Sequence, residues 1–360
     1  MAFKLALILA FAAQLTAAIL ALRLNFRYRI YSAWFFVSGA FAVAAILRLT
    51  TLCETWTEPP TFQDNWVQWA SAFAALSASI MLLGGMSFIE PFFKEMAQHQ
   101  ANLQSEHDQL ESIVKETEEE LRLAQRIQRQ LLPRSEPTTE YLDVCGRSDP
   151  AVWTSGDYYD YLTLKTGNIA LVVADVSGHG LGPALLMSST RASFRGIAPT
   201  TDDISELMTS GNRAVADAVS DSEFVTAFAA SYDQANHTLC YSAAGHGAYL
   251  LRADGSSEVL TGDAPPLGIL PELEIGMSPA KTIGNGDILV LVTDGILETS
   301  NGDGDQFGEE RLLGVVQQYR RASAKRIVNR LFDATSSFAK NQPQQDDITA
   351  VIVKFSTAKA

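Results

Sequence analysis

Ala174-Asp-Val-Ser-Gly-His-Gly-Leu-Gly-Pro-Ala-Leu-Leu-Met187 joins two different periodicities. Before it, Ile169–Ala174 is an unbroken apolar run bounded by Asn168, as a buried strand would be. After the glycines, residues 182–194 read as a helix. Asp175 stands at the junction, and a carboxylate at the edge of a buried strand is costly unless it is paired or bound to a cation.

The same juxtaposition recurs along the chain. Asp157 lies in Ser155-Gly-Asp-Tyr-Tyr-Asp160, Asp294 follows the apolar run 288–292 in Thr293-Asp-Gly295, and Asp346-Asp347 precedes Ile348. Hard cations take oxygen ligands, so an all-carboxylate set with few histidines points to Mg²⁺ or Mn²⁺ and away from zinc. Two such ions sharing carboxylates would activate water and clamp a phosphoryl group for in-line attack. Any one Asp-Gly is a common turn; the weight lies in the ordered set. The remaining pattern predicts strands over 224–232, 239–243 and 348–355, and helices over 204–219, 309–318 and 324–339. Several strands are consecutive, which favours an α+β layered domain with antiparallel sheets over a parallel nucleotide-binding one.

The ordered motifs resemble one family. They are Ser-Gly-Asp-Tyr-Tyr-Asp (155–160), the 174–187 stretch, Phe-Val-Thr-Ala-Phe (224–228), Ala-Ala-Gly-His-Gly (243–247) and Pro-Pro-Leu-Gly-Ile (265–269). Val-Thr-Asp-Gly-Ile-Leu-Glu (292–298), Phe-Gly (307–308) and Gln-Asp-Asp-Ile-Thr (345–349) complete the set. Together they resemble the metal-dependent PPM-type Ser/Thr protein phosphatases of the bacterial SpoIIE/RsbU branch, over about residues 121–356.

The resemblance implies an αββα sandwich of two antiparallel sheets holding two Mn²⁺ or Mg²⁺ ions. Asp175 would bridge the ions, with the Val176 carbonyl as a further ligand. Asp294 and Asp346 would complete one ion, and Asp157 would bind directly or through water. Asp347 would orient a ligand, and Asp160 would support the site from behind. His179 and His246 would protonate the leaving group or brace loops. Two departures stand out: Ser155 replaces the branch's usual Gly, and the phosphate-binding Arg of eukaryotic relatives has no counterpart.

The N-terminal part differs in composition. Residues 5–22, 30–47 and 67–89 contain no Asp, Glu, Lys or Arg and reach the roughly 18–20 residues that cross a hydrocarbon core. Three spans are therefore expected in a membrane module over 1–93. The first apolar run exceeds the 7–15 residues usual in a signal peptide. The loop with Arg23, Arg27 and Arg29 is expected inside, and the loop with Glu54, Glu58 and Asp64 outside. That places the N-terminus outside and the catalytic domain, 134–360, in the cytoplasm of a bacterial cell.

Between them, residues 94–133 form a charged helix with Met96, Leu103, Leu110, Thr117, Ala124 and Leu131 at seven-residue intervals. Val114 and Leu121 lie on the companion seam, whereas His107 and Gln128 there are polar. This predicts a two-stranded coiled coil and hence a homodimer.

Across all 360 residues, 47% are hydrophobic and 19% charged, which excludes a disordered chain. A net charge of −14 argues against a nucleic-acid partner. Cys53, Cys145 and Cys240 are too few and scattered for a disulfide framework. The expected function is a membrane-anchored, signal-regulated phosphatase whose substrate is a phosphorylated STAS-type anti-sigma-factor antagonist. The alternative is a catalytically inactive, membrane-tethered hub that sequesters a regulator.

Overall fold

The computed structural model describes residues 2–356 apart from 29–30, 58–64, 138, 221 and 341, with fewer side chains described in the first three helices. The chain divides into two units, residues 1–115 and 116–360.

In the first unit, α1 (Ala2–Tyr28) and α2 (Tyr31–Thr57) pack along their length, through Leu7 on Leu52 and through Ala17 and Ala18 on Phe41. Leu5, Ile8, Leu15 and Ile19 of α1, and Val43, Ile46 and Leu47 of α2, point outward and exposed. The windows Lys4–Arg23 and Val37–Glu54 are long and apolar enough to cross a membrane. The expected span 30–47 overlaps the second window from residue 37 on; the side chains of residues 27–36 lie outside the described residues. The third expected span, 67–89, falls within α3 (Asn65–Leu131), but most of its side chains lie outside the described residues. Pro91 sits inside this helix, where it removes one backbone hydrogen bond between the apolar and charged stretches. Met96, Leu103, Leu110 and Val114 are all more than half exposed in the single chain.

The second unit has ten strands. Sheet one runs β1 (Leu142–Asp149), β10 (Ile348–Phe355), β9 (Ile288–Val292), β6 (Ala248–Leu251), β7 (Ser257–Leu260). Sheet two runs β2 (Tyr158–Thr163), β3 (Ile169–Val176), β4 (Val225–Asp233), β5 (Thr238–Ala244), β8 (Lys281–Thr282). Every pairing within them is antiparallel.

Strand alternation sorts the side chains into three cores. Val173, Phe228, Leu239, Leu289, Leu291, Val351 and Val353 fill the space between the sheets. On the far side of sheet two, Val172, Ala174 and Ala227 meet Met187 and Phe194 of α4 (Leu181–Ile197) and Leu207 and Met208 of α5 (Ile204–Ala216). On the far side of sheet one, Val290 and Ile352 meet α7 (Gly308–Tyr319) and α8 (Ala324–Ala339) through Leu312, Val316, Ile327 and Leu331. The layers are therefore helix, sheet, sheet, helix, as the resemblance implied. A five-residue helix, α6 (Asp294–Glu298), follows β9 directly.

The last turns of α3 belong to this second unit. Leu121, Ala124, Gln125 and Leu131 are half-buried and Gln128 is buried, a stripe at helical spacing. Four positions of the expected coiled-coil seam thus serve the catalytic unit.

Candidate metal centre

Each expected acid sits at a strand end, and glycines let the ends approach. Asp157 immediately precedes β2, Asp175 is the penultimate residue of β3, Asp294 begins α6 after β9, and Asp346-Asp347 lead into β10. A Cβ on Gly156 would lie 2.9 Å from the Val176 carbonyl oxygen, and one on Gly295 would collide with the Asp347 carbonyl. Only glycine allows these backbones so close.

The acids differ in burial and support. Asp157 is 2% exposed; its carboxylate accepts a hydrogen bond from the Thr293 hydroxyl (2.8 Å), and its N–H donates to Ser155 Oγ (3.0 Å). Asp347 is 3% exposed and accepts from the N–H groups of Ala151 and Gly156, both at 2.7 Å. It therefore shapes the loop that presents Asp157. Asp175 is half-buried, Val176 is buried, and the Val176 N–H reaches the Gly156 carbonyl at 3.4 Å. Asp346 is half-buried and accepts from the Asp347 N–H (2.8 Å), while Asp294 is exposed.

The charged groups acting most strongly on these acids are one another. Burial, then the Asp175 carboxylate, hold Asp157 well above the usual carboxylate range. Burial, then Asp294 and Asp346, push Asp175 up to about 7. Asp294, although it reaches solvent, is raised by partial desolvation and by Asp346, and Asp347 chiefly by burial. Carboxylates crowded together in this way lack a compensating positive charge. Among the described residues no group of three or more His, Cys, Asp or Glu side chains is gathered tightly enough to hold an ion by itself. The acids therefore neighbour one another without forming a closed ligand shell. The donor chemistry, hard oxygens with uncompensated charge, fits Mg²⁺ or Mn²⁺.

The remaining expected residues lie around this group. Asp160 shares the face of β2 that carries Tyr158 and Leu162, so it points toward α4. There it pairs with Arg195 (two contacts of 2.6 Å) and accepts from Tyr158 Oη (2.8 Å). The structure thus brings Asp160 to α4 and not to the other acids. His246 is pushed down to about 4 by burial. Its Nε2–H donates to the Val292 carbonyl (3.0 Å) and its Nδ1 accepts from Thr226 Oγ1 (2.9 Å), so a neutral ring links the two sheets behind Thr293. His179 is exposed in the loop before α4.

Three supporting side chains escaped the sequence reading. Thr293 was visible only as the residue before Asp294. The Ser155 hydroxyl, at the position where the branch usually has Gly, accepts from the Asp157 N–H. Gln128, a blemish in the heptad pattern, hydrogen-bonds Ser155. Beside Asp346 and Gly295 lies a groove of about 710 Å³, whose lining contains one guanidinium, Arg147. That group pairs with Asp149 and rests over the Phe332 ring at 4.2 Å.

Comparison with known proteins agrees with this architecture. The family model for stage II sporulation protein E (SpoIIE) matches residues 165–356, just over half of the chain. Phosphoserine phosphatase RsbU of Bacillus subtilis is 31% identical over 255 residues, covering 69% of this chain and 74% of that protein. The SiaA PP2C domain of Pseudomonas aeruginosa superposes with a TM-score of 0.61 at 22% identity, covering 68% of this chain and 99% of that domain. The PP2C phosphatase domain of Bacillus subtilis SpoIIE, solved with a fragment of its regulatory domain, gives 0.53 at 17% identity, over 61% of this chain and 64% of that one. With motifs, layers and family match in agreement, the chain belongs to the SpoIIE family of PP2C-type phosphatases.

Proposed function

We propose that the chain is a signal-regulated Ser/Thr protein phosphatase that hydrolyses phosphoserine or phosphothreonine on a regulator protein. The observation that carries this reading is the meeting of Asp157, Asp175, Asp294 and Asp346 at neighbouring strand ends, where their charges oppose one another. Those carboxylates, with the Val176 carbonyl, would hold two Mn²⁺ or Mg²⁺ ions. When bound, the ions would supply Lewis acidity and positive charge for attack by water on phosphorus. The protein's own part is positional. Asp347 and Thr293 fix Asp157, the glycines bring the backbones together, and neutral His246 braces the two sheets. The groove beside Asp346 leaves room for polypeptide flanking a phosphorylated side chain.

The RsbU and RsbP relatives are named phosphoserine phosphatases, which supports phosphoserine as the substrate group. A phosphorylated STAS-type antagonist in a sigma-factor circuit is the partner this suggests. The apolar outer faces of α1 and α2 support a membrane anchor within 1–93. With a third span over 67–89 and the Arg23, Arg27 and Arg29 loop inside, the N-terminus would lie outside and the catalytic unit in the cytoplasm. The exposed residues Met96, Leu103, Leu110 and Val114 support a homodimer through the linker helix.

Phosphate release from a chromogenic ester with Mn²⁺, with and without Asp294→Asn, tests the enzyme. Metal-dependent turnover lost in the variant supports it. No turnover in any divalent metal favours the alternative of a tethered binding hub.

A further inference from the structure

We infer that Arg147 is a specificity-determining residue that binds a carboxylate of the substrate polypeptide, carried by a residue near the phosphorylated one. The inference rests on the reading of the chain as a phosphatase with ions among Asp157, Asp175, Asp294 and Asp346. Cys145, Arg147 and Asp149 alternate onto the face of β1 that looks toward α8. At Cys145 that face is core; at Arg147 and Asp149 it lines the groove beside Asp346 and Gly295.

Arg147 is held there from two sides. Its Nε donates to Asp149 Oδ1 at 3.3 Å, its Nη2 donates to Asp149 Oδ2, and its Cζ lies 4.2 Å from the centre of the Phe332 ring. Asp149 thus takes the Nε–Nη2 edge of the fork. Among the described residues Nη1 has no hydrogen-bond partner, and the side chain is 40% exposed. The Nη1–Nη2 edge is therefore open to a second acceptor. A guanidinium fixed by a carboxylate and an aromatic ring is preorganised for another planar, bidentate acceptor.

Strand register separates this edge from the ions. Arg147 pairs with Ala350 and Asp149 with Ile348, so Arg147 stands opposite a residue four positions after Asp346. At about 3.3 Å per residue the offset is roughly 13 Å. Extended polypeptide, at about 3.3–3.6 Å per residue, covers it in about two to four residues. The group reaching Arg147 is therefore a neighbour of the phosphoresidue rather than the phosphoryl group itself.

The charge of the groove makes Arg147 the place for an acid. The other charged groups on its lining are the carboxylates of Asp149, Glu298, Asp333 and Asp346. Asp149 is spent on Arg147, Asp346 is a proposed metal ligand, and Asp333 pairs with Arg330 at 3.5 Å. Glu298 stands one turn after Asp294, at the metal end. An acidic side chain is repelled at Glu298 and accepted at Arg147, so the groove discriminates where along the substrate an acid stands.

The test uses the full chain in mild detergent with saturating Mn²⁺. Its substrates are phosphoserine peptides of alanine and glycine, with a single glutamate scanned through the flanking positions. At the favoured position, wild type is expected to show a kcat/KM about tenfold above that of the peptide without glutamate, expressed in KM, as for one charge-assisted contact. In Arg147→Met, which keeps the packing on Phe332, the preference falls to within about twofold. Arg147→Lys keeps the charge without the fork and retains only part of it.

A wild-type chain with no preference for glutamate at any position overturns the inference, as does Arg147→Met with the wild-type preference. If Arg147→Met does not fold, an undiminished preference in Arg147→Lys overturns it. An equal loss in Arg147→Met on the chromogenic ester and on every peptide also overturns it, because the ester has no flank. No turnover of any ester or peptide with Mn²⁺ removes the phosphatase reading itself, an outcome distinct from these.

Discussion

The two sides of the acid cluster are built differently. Asp157 and Asp347 are buried and held by hydrogen bonds from Thr293, Ala151 and Gly156. Asp294 is exposed at the start of a five-residue helix, and Asp346 is half-buried beside an open groove. One side is held by hydrogen bonds; the other faces the groove and solvent. Fixed ligands supply preorganisation, and accessible ones allow ions and phosphoryl groups to enter.

The largest expected effect breaks the open side. Asp294→Asn removes one of the proposed charged ligands at an exposed position. Turnover with Mn²⁺ falls by more than about a hundredfold, on the scale of losing one preorganised electrostatic group. Thermal melting of the metal-free chain stays unchanged or rises, because one of the mutually repelling carboxylates is gone. A parallel loss of folding would contradict the assignment of Asp294 to chemistry.

Asp160→Asn sharpens the contrast from the other direction. This buried carboxylate holds Arg195 and Tyr158, so its loss lowers stability by about 2 kcal/mol, less than for a fully buried pair because Arg195 is partly exposed. Denaturant unfolding measures that cost, while Mn²⁺ affinity is expected to change little. A large loss of affinity would return Asp160 to the metal centre.

Thr293→Val probes the buried side. The swap keeps shape but removes both the donor to Asp157 and the acceptor for the Thr349 N–H (3.0 Å), at about 1–2 kcal/mol in the metal-free protein. Equal denaturation midpoints for variant and wild type would show that the Thr293 hydroxyl contributes nothing through Asp157 or Thr349.

A last test of the crowding is the pH dependence. Asp175 is raised to about 7 from an ordinary value of 3.8, so the metal-free folded state holds this proton more tightly than the unfolded chain. Stability from this group is present at low pH and is lost as pH rises through 7. Melting of the metal-free chain is therefore expected at lower temperature at pH 8 than at pH 5.5, and added Mn²⁺ reverses the loss at pH 8. A higher melting point at pH 8 without metal would contradict the crowding of these acids.

Sequence patterns revealed long, strongly periodic elements best. The strands 288–292 and 348–355 and the helix 324–339 run where the apolar pattern places them. Helix α5 ends at Ala216, short of the expected 219. The edge strands β7 and β8 went unread: Ser257–Leu260 is mostly exposed, and a two-residue strand at Lys281 is defined by its partner β5. The acids could be found because each interrupts an apolar run. Their division of labour could not, since it depends on the face of β2 that Asp160 occupies and on hydrogen bonds from residues far along the chain. Asp347 and Gly156 are 191 positions apart. Gln128 gave a signal, as a polar residue at a seam position, but its meaning emerges only when the helix is seen against Ser155.

The most direct test is anomalous scattering at the manganese edge from crystals of the chain grown with Mn²⁺. The account predicts two peaks about 3.5–4 Å apart, bounded by Asp157, Asp175, Asp294 and Asp346. Crystals with saturating Mn²⁺ and no peak among those four side chains would contradict it.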